Sequence, residues 1–216
     1  MCSMRGNSRT VLIVAAILFI AAGQAGADVL FNTFGPGDSY QTAIGWTIGG
    51  PPGSDNFAQG NQFSFTGLQS YRLDSIELAV GLVAGTNQVN VSLMNDAAGL
   101  PAAVLEAFSF TDQMGPFGSN NPPLVGTSVA HPLLAPGMNY WLIASASNDT
   151  WAAWNLSSLG GAGQLARSTN GGEWSTSENP FAAFRINGTL VPVPGAVLLG
   201  VLGLGFAGGL LRRRSA

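Results

Sequence analysis

Between residues 28 and 190 the dominant pattern of the chain is an alternation of apolar and polar residues. Val89, Val91 and Leu93 point to one side of a predicted strand, and the polar residues between them point to the other. No stretch of this region keeps the 3.6-residue period of an amphipathic helix for three turns. The pattern therefore predicts half-buried strands rather than helices.

Within one long predicted strand, the apolar residues switch from one face of the strand to the other. Tyr71 and Leu73 follow one phase of the alternation, and Ile76 and Leu78 follow the opposite one. Because side chains alternate strictly between the two faces of a regular strand, such a change requires an irregularity in the backbone. The sequence predicts a bulge, or a crossing between sheets, around Asp74-Ser75.

Clusters of glycine, proline and asparagine separate the predicted strands at short intervals. Such spacing is typical of antiparallel folds rather than of alternating strands and helices. We therefore predict an all-β domain over 28–190, an antiparallel β-sandwich that is jelly-roll-like. The segment 113–126, which contains three prolines, is predicted to be a long surface loop. The further strand candidates are 29–34, 43–48, 62–66, 104–110, 139–146, 151–155, 164–168 and 184–187.

The first 27 residues have the three parts of a secretory signal peptide. Arg5 and Arg9 precede an apolar run of 12 residues, 11–22, and Ala25 and Ala27 then form the small-residue cleavage pattern. The alternative is a membrane anchor, but a helix of this run is about 18 Å long. That is well short of the ~30 Å hydrocarbon core of a bilayer. We therefore expect a signal-peptide helix, removed by cleavage after Ala27.

The C-terminal end has the composition of a transmembrane helix. The 17 residues 195–211 contain no charge, and Arg212, Arg213 and Arg214 follow them. As a helix this run is about 25 Å long, at the lower limit for crossing a bilayer. Because arginines next to a span stay on the cytoplasmic side, the sequence predicts that residues 28–190 lie outside the cytoplasm.

A short proline motif precedes this predicted span. The residues of the motif are Val191, Pro192, Val193, Pro194 and Gly195. The order of Pro-x-Pro motif, glycine-rich apolar helix and arginine cluster over 191–216 resembles the PEP-CTERM sorting signal of exported bacterial proteins. In that family a glutamate stands between the two prolines, where this chain has a valine.

The resemblance implies a partner and a route. The partner is an exosortase, a membrane-embedded cysteine transpeptidase or protease that would cut near the Pro-x-Pro motif. The protein would stay in the inner membrane transiently and end at the cell surface or outside the cell. The prolines fix φ and favour an extended backbone just outside the bilayer, which suits recognition at a fixed depth. The alternative is a plain C-terminal anchor with a proline spacer.

The central domain also resembles a family, through its turns and core positions. Residues 89–96 followed by 99–101, and the run 134–137 leading into Tyr140-Trp141, are similar to the choice-of-anchor domains that often precede such tails. Trp174, which precedes the last predicted strand, is a further point of similarity. This resemblance implies a sandwich and identifies no ligand.

Charge and cysteine content exclude several functions. The chain has no lysine, and residues 28–190 contain three arginines and eleven acidic residues, a formal net charge of −8 at pH 7. Such an acidic surface repels phosphate backbones, so we expect no nucleic-acid partner. The single cysteine, Cys2, excludes an internal disulfide and cysteine-based zinc sites. Acidic turns offer oxygens to calcium, but none has the spacing of an EF-hand, and we expect no metal and no cofactor.

Few residues of the domain are suited to catalysis. His131 is the only histidine and precedes a proline, so we interpret it as a solvated or hydrogen-bonded surface residue. Asp74 and Glu77 are three apart and face opposite sides of a regular strand, unless the predicted bulge brings them to the same side. Glu173 and Glu178 flank a tryptophan in a turn-rich segment, which is a weak basis for a pair of catalytic carboxylates. The sequence therefore predicts a protein that is not an enzyme and has no catalytic residues.

Two tryptophans are the candidates for a binding function. Trp151 and Trp154 lie beside asparagine and aspartate side chains, and flat aromatic rings of this kind stack on sugar faces. Being three apart, they face opposite sides of a strand, one toward the core and one toward solvent. The pattern favours core packing. The alternative function is a carbohydrate-binding module that retains exopolysaccharide.

Overall fold

The chain is all-β in the part described by the computed structural model, which covers residues 26–51, 53–147 and 149–191. These residues form fifteen strands, one short 3₁₀ turn at Pro36–Asp38, and no α-helix. The strands are β1 (Asp28–Asn32), β2 (Tyr40–Gly49), β3 (Phe57–Phe63), β4 (Tyr71–Leu78), β5 (Val80–Gly85), β6 (Gln88–Ala97), β7 (Leu100–Thr111), β8 (Gly115–Pro116), β9 (Leu124–Thr127), β10 (Leu133–Leu134), β11 (Tyr140–Ser145), β12 (Thr150–Ser157), β13 (Ala162–Thr169), β14 (Ser175–Pro180) and β15 (Phe184–Leu190).

The strands form two sheets, which confirms the predicted sandwich. The smaller sheet has the order β1-β15-β4-β10, with β9 also paired to β4. The larger sheet has the order β7-β6-β11-β3-β2-β12-β5-β8, with β13 paired to β3 and β14 paired to β13. Strand β2 meets β3 only at Gly49 and Phe57, and β13 occupies the rest of that edge of β3. Among the described strands, the pairing of β5 with β8 is the one parallel pairing.

The main core lies between the two sheets and follows the predicted alternation. Val89, Val91 and Leu93 of β6 are fully buried, while the residues between them are partly exposed. They belong to one apolar cluster with Phe184 and Ile186 of β15 in the other sheet. Burial of these side chains on one face of each sheet is the main favourable contribution to folding.

The predicted irregularity in β4 is a β-bulge. In the pairing with β15, Ser75 lies opposite Asn187 and Leu73 lies opposite Gly188, so Asp74 is the extra residue. The bulge keeps Leu73 on the buried face despite the change of phase, since both Leu73 and Ile76 are fully buried. The prediction of a bulge at this position is confirmed.

The described chain begins and ends at the same end of the sandwich. Asp28, the first residue of β1, pairs with Gly188 near the end of β15, and Leu190 pairs with Tyr71. We call this the terminal end and define it by Asp28, Val191 and the loops 64–70 and 135–139. Within the described ranges there is no helix with the length and apolarity needed to span a bilayer. The apolar run 11–22 of the predicted signal peptide and the predicted transmembrane helix 195–211 lie outside those ranges.

Candidate functional site

The predicted sorting motif begins where the sandwich ends. Val191 is partly buried, and its N–H donates a hydrogen bond to Ser70 O at 3.0 Å. It directly follows β15, which has a hydrogen-bonded neighbour on each side in the smaller sheet. The chain is therefore fixed to the domain up to the first residue of the motif. The rest of the predicted signal lies outside the described residues: Pro192, Val193, Pro194, Gly195, Arg212, Arg213 and Arg214.

The predicted signal-peptide cleavage point lies just outside the first strand. Ala27 is exposed and immediately precedes β1, while Ala25 lies outside the described residues. Cleavage after Ala27 would leave Asp28 as the new N-terminus, still paired with Gly188. All fifteen strands of the described fold lie on the C-terminal side of this bond.

The segments 89–101 and 134–141, whose resemblance to choice-of-anchor domains stays a prediction, contribute to a hydrogen-bond network on the outer side of the larger sheet. Asp96 Oδ1 accepts hydrogen bonds from the indole N–H of Trp141 at 2.7 Å and from Gln62 Nε2 at 2.9 Å. Its Oδ2 accepts one from Gly99 N at 3.0 Å, within the turn that joins β6 to β7. Trp141 is fully buried in a second, smaller apolar cluster with Ile143. These residues thus stabilise a turn and a tryptophan, which is a structural role.

One of the two candidate tryptophans cannot contact a polysaccharide in the folded domain. Trp154 is 0% exposed, and its indole N–H donates to Ala183 O at 3.0 Å. Its ring packs edge-on against Phe184 at a centroid distance of 5.8 Å. The assignment of Trp154 to a sugar site is wrong, because strand β12 turns this side chain into the core. Trp151 is partly exposed, between Gly49 of β2 and Ala84 of β5.

A groove of about 350 Å³ opens where the ends of several strands meet. Its volume falls within the range of small-molecule sites, about 300–1,000 Å³. One side consists of the aromatic rings of Phe31, Phe63 and Phe181, and Phe31 lies 5.8 Å from Phe181 between centroids. The other lining residues are polar or small: Gln62, Ser64, Asn139, Gly163, Gln164 and Glu178.

The polar side of this groove is available for a ligand. The side chains of Asn139, Gln164 and Glu178 make no hydrogen bond to other described residues, whereas Gln62 is bonded to Asp96. Gly163 is required for the shape, because a Cβ at this position would overlap the ring of Phe181. The lining residues include one carboxylate and no arginine, so the groove suits an uncharged, hydrogen-bonding ligand with an apolar face.

The carboxylates considered for catalysis either accept hydrogen bonds from neighbouring side chains or lie far from each other. Glu77 accepts hydrogen bonds from Arg185 at 3.0 Å and from Asn187 at 2.8 Å, and Asp74 accepts one from Thr189 at 2.5 Å.

Arg185 also pairs with Asp38, which links the start of β2 to this network. Burial lowers the pKa of Arg185, but its bonds and charges with Asp38 and Glu77 raise it above the usual value overall.

Glu173 precedes β14 and Glu178 lies near its end, so about 16 Å of extended chain separates them.

His131 and Glu106 fix the segment between β9 and β10. His131 is exposed, as predicted, and its Nδ1 lies 2.8 Å from Leu73 O. Glu106 of β7 is buried and accepts hydrogen bonds from Ser128 Oγ at 2.5 Å and from the N–H groups of Val129 and Ala130 at 2.6 and 3.0 Å. Burial raises the pKa of Glu106, but these bonds and the nearby imidazole of His131 lower it below its usual value.

Sequence reasoning missed the groove and the role of Glu106. The groove residues come from β1, β3, β13, β14 and three connecting segments, so no local period relates them. The one local signal is Gly163, directly before the predicted strand 164–168 and inside the observed β13, since a glycine in a strand often marks a close approach of another group. No family model matches this chain, and the comparison with curated proteins finds no match.

Proposed function

We propose that the protein is an exported bacterial surface or extracellular-matrix protein that is not an enzyme and is sorted through its C-terminal tail. The tail passes through the inner membrane transiently and is recognised by an exosortase at the Pro-x-Pro motif. The observation that carries the proposal is the order of this motif, the uncharged run 195–211 and the arginines that end it. The domain itself is the cargo.

The geometry of the domain supports this route. The N-terminal signal peptide and the C-terminal tail adjoin the same end of the sandwich, so the signal peptide before its cleavage and the tail after it would hold the domain with that end toward the bilayer. Val191 is fixed to Ser70, so the extended motif starts at a defined position next to a folded edge. A protease in the membrane would therefore meet the motif without unfolding the domain.

Replacing Arg212, Arg213 and Arg214 together with glutamine should block processing. Without the cytoplasmic charges the span loses the feature that sets its orientation and depth. We expect the native host to process the original chain at both ends and to accumulate the variant with its tail intact. Intact mass spectrometry of the protein from each strain reports both ends.

The matched control replaces Arg72 and Arg167, exposed arginines of the sandwich, with glutamine. It should mature as the original chain does. If the triple variant also matures normally, the sorting proposal is wrong. If the original chain retains Ala216 in the membrane, the tail is a plain anchor.

A second candidate function, retention of an uncharged polysaccharide, is favoured by the groove rather than by the tryptophans. Its aromatic side, where the partly exposed rings of Phe31 and Phe181 lie, suits the apolar face of a sugar ring. Asn139 and Gln164 provide free donors and acceptors for hydroxyl groups.

Substitutions in the groove should weaken retention on the host's exopolysaccharide. We expect Phe181→Ala to reduce affinity about tenfold, since loss of one stacked ring costs on the order of 1 kcal/mol. Gly163→Ala should act similarly by displacing the Phe181 ring. The control is Phe57→Ala, a partly exposed ring at the opposite end of β3. Equal retention of all three variants in affinity electrophoresis would exclude a glycan site in this groove.

A further inference from the structure

The terminal end carries exposed apolar side chains on its two loops and on the neighbouring strand β10. Leu68 is 100% exposed, Leu133 is 59% exposed and Met138 is 56% exposed. The two loops contact each other, because Gly137 N donates to Phe65 O at 2.9 Å. Large apolar side chains grouped on one surface indicate an interaction site rather than ordinary surface composition.

The same two loops contain no charged residue. Neither loop 64–70 nor the segment 132–139, which includes β10 and loop 135–139, contains an aspartate, glutamate, lysine or arginine, although the domain as a whole is acidic. An acidic loop would be repelled by the anionic headgroups of a bacterial membrane, and these two loops avoid that repulsion, although Asp28 at the same end is acidic. The exposed apolar side chains therefore lie on uncharged segments.

The length of chain between the sandwich and the predicted span limits how far this surface lies from lipid. Val191 is hydrogen-bonded to Ser70, two residues from Leu68. The predicted span starts at Gly195, four residues later, and four extended residues cover at most about 14 Å. While the tail is anchored, the terminal end must lie within the headgroup region or just above it.

We infer that the terminal end of the sandwich docks on the bilayer surface, with Leu68, Leu133 and Met138 inserted among the lipid headgroups. The inference rests on the proposed function, since it requires the tail to be anchored in the membrane. Its occupant is the lipid surface itself. Docking adds a second, rigid attachment beside the span and so fixes both the depth and the orientation of the motif that begins at Val191.

The test places a fluorescent probe at single cysteines of the full chain in vesicles of phosphatidylethanolamine and phosphatidylglycerol. In a Cys2→Ser background, Leu68→Cys and Met138→Cys are labelled with an environment-sensitive nitrobenzoxadiazole dye. The matched control is Val125→Cys on β9, which is 55% exposed but lies opposite Glu77, about 20 Å along β4 from Tyr71. A quencher attached to the lipid headgroup reports the proximity of each probe to the membrane.

We expect headgroup quenching at positions 68 and 138 to exceed that at position 125 by about threefold or more, with a blue-shifted emission. Resistance of the protein to alkaline carbonate extraction measures insertion of the tail separately. If the tail is inserted but quenching is equally weak at positions 68, 125 and 138, the docking inference is wrong and the proposed function is unaffected. Extraction of the protein by carbonate overturns the proposed membrane stage, and the docking inference with it.

Discussion

Trp154→Ala should destabilise the folded domain by about 3–5 kcal/mol, the range measured for removal of a large buried aromatic side chain. Trp154 is fully buried and packs edge-on against Phe184, so its loss leaves a cavity at the centre of the sandwich. For a domain with an ordinary stability of about 5–15 kcal/mol, this is a large fraction of the total. Urea unfolding followed by far-UV circular dichroism measures the change.

Two further variants separate packing from hydrogen bonding. Trp154→Phe keeps an aromatic ring but removes the indole N–H donor to Ala183 O. Ala183 O also accepts a hydrogen bond from Ala79 N, so this carbonyl keeps one donor in the variant. Loss of the indole bond should therefore lower the free energy of unfolding by only about 1 kcal/mol. The smaller ring adds a further loss from packing. Trp151→Ala, at the partly exposed neighbour on β12, should cost less than Trp154→Ala. A Trp154→Ala variant as stable as the original would contradict the assignment of this residue to the core.

The result also bears on the carbohydrate hypothesis. A loss of polysaccharide retention in Trp154→Ala would follow from unfolding and would not identify a sugar site. The groove variants Phe181→Ala and Gly163→Ala are therefore the ones that test binding, because both positions lie at the edge of the sandwich. Stability must be measured for each of them before a loss of retention is interpreted.

The sequence pattern predicts those parts of the fold in which one face of a strand is buried against the other sheet. This applies to β6, where alternation is regular, and to the bulge at Asp74, where the change of phase is visible in the apolar residues. In both cases the apolar or polar character of a residue indicates directly whether its side chain is buried. Burial alternates with every residue along such a strand, and this alternation can be seen in a short stretch of sequence.

Strand β3 was predicted at 62–66 but spans Phe57–Phe63, because its buried residues are polar or small. Gln59 Nε2 donates to Thr47 O at 3.1 Å, and Asn61 Oδ1 accepts from Ala182 N at 3.1 Å. Gly60 leaves room for Ile143 on the neighbouring strand, since a Cβ there would overlap that side chain. These partners come from distant parts of the chain, so the local sequence does not reveal the burial.

Strand β14 was missed for the opposite reason. Ser175–Pro180 is polar and almost entirely exposed, and it is an edge strand paired only with β13. A polar edge that ends in proline avoids further pairing with other strands, so its composition resembles that of a loop. The predicted loop 113–126 likewise contains the short strand β8 and most of β9, whose pairing with distant strands defines them.

Glu106→Ala should destabilise the domain by about 2–3 kcal/mol at neutral pH, because it leaves the buried hydroxyl of Ser128 and two backbone N–H groups without their charged acceptor. The carboxylate accepts three hydrogen bonds from 128–130 and fixes this segment to β7. Glu106→Gln should cost less, since one amide oxygen can still accept both backbone N–H groups. Glu178→Gln, at an exposed carboxylate without a side-chain bond, should change stability by less than about 0.5 kcal/mol.

The contribution of Glu106 should also depend on pH in a defined direction. Its pKa in the folded protein lies below the usual value of 4.5, so folding is favoured by the ionised form. This stabilisation is fully present above the usual pKa and is lost as the pH falls through the lower, folded-state pKa. The difference in unfolding free energy between the original chain and Glu106→Gln should therefore be constant near neutral pH and shrink below about pH 4.5. A difference that stays constant down to about pH 3 would show that Glu106 contributes nothing through its charge.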